Sequence, residues 1–188
     1  MIKRKFTKGE YEYPAYQTKV VIIRTICYFL LALAVFLLGY FSTKTKENLL
    51  TVVAVCGLLP ACKSLVSVIM YLRIPKFAEN IYQTLTSKVG TVSVLYSIYL
   101  TSYKLNFPIN CFGVRGNNLI GYTEFLSCDT AACEEHIKML LLQNGLKNIT
   151  VKIFKEQKKF EDRLQQLQNL EVNHKENEIL TLLCDISL

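Results

Sequence analysis

Two stretches decide the fold: TICYFLLALAVFLLGYF at residues 25–41 and LLTVVAVCGLLPACKSLVSVIMYL at residues 49–72. A bilayer hydrocarbon core of about 30 Å takes roughly 20 apolar residues as a helix. Backbone groups in lipid have no water to bond to, so each stretch is expected to cross as a helix that satisfies its own amides. The polar segment 42–48 between them is expected to turn outside the membrane. Working outward, the chain divides into a cytoplasmic N-terminal segment (1–19), a two-helix transmembrane hairpin (20–72) and a cytoplasmic domain (73–188). The expected fold class is an α-helical transmembrane hairpin plus a small α/β (α+β) domain.

Charge sets the expected orientation. The net charge is +7. Residues 1–24 carry Lys3, Arg4, Lys5, Lys8, Lys19 and Arg24 against Glu10 and Glu12. Arg73 and Lys76 follow the second stretch, whereas the connecting segment offers only Lys44 and Lys46 with Glu47. Positive-inside logic puts both termini in the cytoplasm, in a multi-pass protein of the cell membrane. Tyr40, Phe41 and Tyr71 are expected to anchor at the water interfaces. Residues 73–188 hold 13 basic and 12 acidic side chains. So balanced a domain lacks the basic face that nucleic acid requires.

A cleaved signal peptide fits poorly, since a mostly polar segment precedes the first stretch and a second stretch follows at once. The seven cysteines lie in the spans (Cys27, Cys56, Cys62) or in the cytoplasmic domain (Cys111, Cys128, Cys133, Cys184). A reducing cytosol argues against bridges, so most read as small buried hydrophobes.

Within the spans, Arg24 and Lys63 are the ionisable residues, and an ionisable group at depth is a functional candidate by default. Both fall toward the cytoplasmic leaflet, where Lys63 is expected to snorkel to anionic headgroups. Arg24, Lys63 and Arg73 are therefore the lipid-contact candidates. Gly57 and Pro60 are expected to kink the second span, with Ser64 and Ser67 satisfying freed carbonyls.

In the domain, residues 74–88 read as a helix broken at Gly90. Residues 91–102 read as a strand covered on both sides, with Val92, Val94, Tyr96, Ile98 and Leu100 on one face and Leu95 and Tyr99 on the other. Residues 107–114 and 119–125 form a hairpin about Arg115-Gly116-Asn117-Asn118. Asp129 or Thr130 caps a helix that stops at Gly145. A strand (149–154) follows, then an amphipathic helix (156–170) with Phe160, Leu164, Leu167 and Leu170 buried, and a last helix from about Lys175. The expected order in the domain is α-β-β-β-α-β-α-α.

That order, over residues 76–155, resembles the core of the restriction-endonuclease-like nucleases. The resemblance implies an acid on the second strand and an acid-x-Lys pair on the third, to hold Mg²⁺ and activate water. The second strand has no acid, and the third offers Glu124 followed by Phe125 and Leu126. At most the chain looks like an inactive relative.

Cys133 and His136 stand one helical turn apart with Cys128 just before the helix, and Cys111 is the further thiol a zinc site would draw on. The spacing fixes no fourth ligand, so no metal and no cofactor are expected. The stretches 57–64 (GLLPACKS), Gly121-Tyr122-Thr123 and Val151-Lys152-Ile153-Phe154 are similar to small two-span membrane proteins of Gram-positive anaerobic bacteria, a group with no assigned activity. The leading expectation is a membrane-anchored binding or scaffolding module. Its expected partners are membrane lipids and either another protein or a second copy of itself. The alternative is a membrane-tethered enzyme, either degenerate nuclease-like or a zinc-dependent hydrolase.

Overall fold

A computed structural model describes residues 6–44, 49–102, 105–173 and 175–188. Lys3, Arg4 and Lys5, and Thr45, Lys46 and Glu47 of the connecting segment, lie outside the described residues. The elements run α1 (Tyr13–Thr43), α2 (Leu49–Leu72), α3 (Glu79–Lys88), β1 (Ser93–Thr101), β2 (Asn106–Arg115), β3 (Asn118–Tyr122), α4 (Thr130–Gln143), β4 (Thr150–Phe154), α5 (Gln157–Gln168) and α6 (Lys175–Ile186). They form two compact units, Met1–Tyr13 with Pro75–Leu188, and Pro14–Ile74.

In the second unit, α1 and α2 are both long and apolar enough to cross a membrane, and only 17% of each apolar window is buried. A core helix of a soluble domain would be mostly buried, so these two behave differently. α1 begins twelve residues upstream of the apolar stretch, because hydropathy marks a lipid-facing surface and not the helix end. Small side chains line the seam between the helices: Ala32 on α1 with Ala54 and Ala61 on α2 are buried. Small residues let helix backbones approach closely. Pro60 sits inside a continuous α2. Ser64 does not serve that helix's freed carbonyls but pairs with Thr25 across the seam. Ser67 donates to the Lys63 carbonyl.

The first unit is a four-stranded mixed sheet in the order β1-β2-β3-β4. β1, β2 and β3 meander antiparallel, and β4 joins β3 in parallel. Parallel pairing needs a crossover, which α4 supplies. Gly116, at φ +60°, takes the first central position of the two-residue β2–β3 turn, where a II′ geometry demands positive φ. Asp129 accepts the Ala132 amide at 3.1 Å and so starts α4.

The sheet is covered on both faces. Leu85 of α3 and Phe160, Leu164 and Leu167 of α5 pack on Cys111, Ile120 and Tyr122. Cys133, Ile137 and Leu141 of α4 and Ile179 and Leu183 of α6 pack on the other face against Phe107, Ile109, Phe112 and Val151. Three expectations need correction. α3 starts at Glu79, because Ala78 before it is held in extended backbone, with its amide bound to the Glu124 carboxylate at 3.2 Å. Leu170 is exposed, since α5 stops at Gln168 and Asn169 caps it. β1 is covered on both sides as expected, but the allocation of residues to its faces fails: Val92, Val94 and Tyr96 pack on the α3/α5 side, whereas Leu95, Ile98 and Leu100 pack on the α4/α6 side.

The switch is at Ser97, whose φ is +53°. One left-handed residue reverses the alternation of the strand. β2 changes parity at the opposite residue: Phe107 and Ile109 before Asn110, and Phe112 and Val114 after it, share one core. Because both strands switch together, the register is the same on either side, with Tyr96 opposite Cys111 and Ile98 opposite Ile109.

Each sheet edge is partly engaged. At β4, the Glu134 carboxylate accepts the Ile153 amide at 2.9 Å and pairs with Lys152 at 3.3 Å. At β1, the Tyr96 amide donates to the Gly9 carbonyl at 2.7 Å, and the Leu188 amide donates to Tyr99 O at 3.0 Å. These contacts engage part of each edge, where free backbone groups offer a template for pairing with another chain. Residues 6–13, expected as part of a separate cytoplasmic segment, are thus a strap on the domain. Gly9 is required there twice, by φ +93° and by Leu95, whose side chain fills the place of a Cβ.

Candidate functional site

The structure brings two of the three lipid-contact candidates together. Thr25 Oγ1 donates to the Val21 carbonyl at 2.8 Å and lies 2.7 Å from Ser64 Oγ. A hydroxyl has one hydrogen, so Ser64 is the donor to Thr25. The pair is buried and fixes one level of α1 to one level of α2. Arg24 and Lys63 each stand one residue away and are exposed at that level. Arg73 follows the end of α2, nine residues beyond Ser64, or about 13 Å along the axis at 1.5 Å per residue. It does not belong to the same level.

In the domain, Glu124 is tied into the structure. Its Oε1 accepts the Asn110 side-chain amide at 2.6 Å and the Ala78 backbone amide at 3.2 Å. Asn110 Oδ1 in return accepts the Glu124 amide at 3.0 Å. The carboxylate thus fastens the end of β3 to the level where β1 and β2 change parity, and to the start of α3.

The thiols are separated by the sheet. Cys128 and Cys133 lie in the α4/α6 core and Cys111 in the α3/α5 core, so Cys111 cannot join them as a ligand. His136 packs its ring against Phe107 with centroids 5.9 Å apart. Burial pushes the Cys111, Cys128 and Cys133 thiols up, which disfavours the thiolate that metals and electrophiles take.

A cleft beside the strap was not anticipated. Phe6, Glu10, Tyr11, Glu12, Glu79 and Tyr82 line a cavity of about 370 Å³. Tyr11 stacks on Tyr82 of α3 at 4.4 Å and 14°, and Tyr82 meets Tyr96 of β1 edge-on at 4.9 Å. The Tyr11 hydroxyl donates to Phe77 O at 2.8 Å. Burial and the nearby carboxylates of Glu79, Glu124 and Glu12 raise the Tyr11 pKa. Burial pushes Tyr96 up to about 12, against the lowering effect of its hydrogen bond with Thr86. The surroundings of the stack are therefore negative in a chain of positive net charge, and they favour a cationic group over an anionic one. The available sequence signal was Glu10-Tyr11-Glu12-Tyr13, an alternation of acid and aromatic set in a basic tail.

No family model, no curated protein and no solved structure matches this chain.

Proposed function

We propose that the chain is a membrane-anchored binding or scaffolding module that holds a protein partner, or a second copy of itself, at the inner face of the cell membrane. The observation that carries the reading is the strap. Residues 6–13 and 75–188 make one folded unit, so the chain enters and leaves the apolar hairpin from the same body. If α1 and α2 span, both open ends lie on the side the domain occupies. Lys8, Lys19, Arg24, Arg73 and Lys76 flank that end, which supports a cytoplasmic domain by the positive-inside rule.

The near-neutral domain and the engagement of Glu124 favour recognition over hydrolysis. The cleft at Tyr11 and Tyr82 suits a basic segment of a partner, with the carboxylates of Glu12 and Glu79 on its rim. Cross-linking in native membranes, followed by mass spectrometry, tests this. A partner captured by the natural chain and lost on Glu12→Lys with Glu79→Lys is the expected result. Two results would overturn the reading in favour of an enzyme. One is Mg²⁺-dependent DNA cleavage by the purified chain that disappears with Glu124→Ala. The other is stoichiometric zinc lost with Cys133→Ala.

A further inference from the structure

Arg24 and Lys63 stand at the start of one apolar stretch and inside the other, and neither stretch supplies a counter-ion. Residues 13–46 and 48–78 contain no aspartate or glutamate, and Glu47 belongs to the segment at the far end. Among the described residues, neither Arg24 nor Lys63 takes part in an ion pair. Their surroundings are apolar, with Ile23, Ile26, Leu65 and Val66 exposed beside them. An uncompensated charge in such a belt costs a few kcal/mol, so a partner for it must come from outside the hairpin.

Their placement follows from the Thr25–Ser64 hydrogen bond. Each residue turns a helix by about 100°. Because α1 and α2 run antiparallel, one step back from each bonded residue turns both side chains to the same flank. The opposite step confirms the geometry: Ile26 and Leu65, one residue after Thr25 and Ser64, both line one cavity of about 580 Å³. Arg24 and Lys63 therefore share the other flank. Their depth is also fixed. From Thr25 to the end of α1 is about 27 Å, and from the start of α2 to Lys63 about 21 Å. Against a hydrocarbon core of about 30 Å measured from the ends joined by the connecting segment, the pair lies about 3–9 Å short of the opposite boundary, in the leaflet half toward which both side chains can snorkel.

We propose that Arg24 and Lys63 form a two-cation site for a phosphate group, that of an anionic phospholipid in the leaflet next to the domain. The site rests on the reading of α1 and α2 as membrane spans. A phosphatidylcholine headgroup carries its own cation and leaves the charge of the pair unbalanced, whereas phosphatidylglycerol offsets it. At about 1 kcal/mol for each of the two basic residues near an anionic surface, the preference is about 30-fold.

The test uses the full chain in lipid nanodiscs and electron spin resonance of spin-labelled lipids. Labelled phosphatidylglycerol should be immobilised about 30-fold more than labelled phosphatidylcholine. The preference should vanish in Arg24→Gln with Lys63→Gln, and persist in Arg24→Lys with Lys63→Arg and in Arg73→Gln. A preference unchanged by the double glutamine variant overturns the site. No preference for phosphatidylglycerol, together with inorganic phosphate binding that the double variant loses, overturns the lipid source and assigns the site to phosphate from solution. If the chain does not span the nanodisc, the proposed function fails with the site. If it spans but retains neither ligand, the site alone fails.

Discussion

Replacing Lys8 by methionine should loosen one edge of the domain and leave the rest of the sheet intact. Lys8 Nζ donates to the carbonyls of Cys184 and Ser187 at 2.9 and 2.8 Å, at the end of α6. A hydrogen bond from a charged donor contributes about 1.5–3 kcal/mol. These contacts are only half-buried, so water replaces part of them and the net loss is about 1–2 kcal/mol. Methionine keeps the apolar stem and removes the donor. The strap then releases the Tyr96 amide, which donates to Gly9, and the Leu188 contact with Tyr99. Hydrogen exchange with mass spectrometry on the full chain in detergent reads this directly. At 1.4 kcal/mol per factor of ten, exchange in the segments holding Tyr96 and Leu188 should speed up by about 5- to 30-fold. The interior pairing of β2 with β3 should not change. Equal acceleration across the sheet, or none anywhere, would refute the assignment of the strap to the domain edge.

Three further outcomes follow from the same packing. Glu176 is 3% exposed and accepts the amides of Gly116 at 2.7 Å and Asn173 at 3.1 Å. Glu176→Ala should therefore destabilise the domain by about 1–3 kcal/mol in urea unfolding, and an unchanged midpoint would contradict that role. Ser97→Gly should stabilise it by about 1 kcal/mol, because it relieves a left-handed serine and removes a buried hydroxyl with no partner among the described residues; a loss of stability counts against the strain. Burial alone would raise the Glu161 pKa, but hydrogen bonds from Lys88 and Gln157 outweigh it and hold the carboxyl below its ordinary 4.5. The link between α3 and α5 is then present above pH 4.5 and lost as pH falls below it, a step that Lys88→Met should remove from the pH dependence of unfolding.

Most elements were legible because their signals are local. Apolar length gave α1 and α2, the Gly116-Asn117 turn gave the β2–β3 hairpin, and Asp129 and Gly145 gave the ends of α4. Boundaries went astray at the start of α1, where the helix begins at Tyr13 ahead of its apolar stretch, and at the start of α3, where Glu124 holds the extended Ala78. That β1 is covered on both sides was legible, but its change of parity was not, since a serine in a Val- and Tyr-rich run carries no mark of positive φ. Its cause is tertiary, the shared switch at Ser97 and Asn110. The strap was missed for the same reason. Lys8 and Tyr11 find partners at Cys184, Ser187 and Phe77, far away in sequence. Arg24 and Lys63 were legible as cations in an apolar run. Their common level and flank needed the Thr25–Ser64 contact.

The central claim is that one folded body on one side of the membrane sends a hairpin across it and takes it back. Thr45→Cys and Ser127→Cys, each in a chain with Cys27, Cys56, Cys62 and Cys184 replaced, can be labelled in cells with a membrane-impermeant maleimide. Position 45 should label in intact cells, and position 127 only after permeabilisation. Labelling of both positions only after permeabilisation, or of both in intact cells, would contradict a spanning hairpin with a cytoplasmic domain.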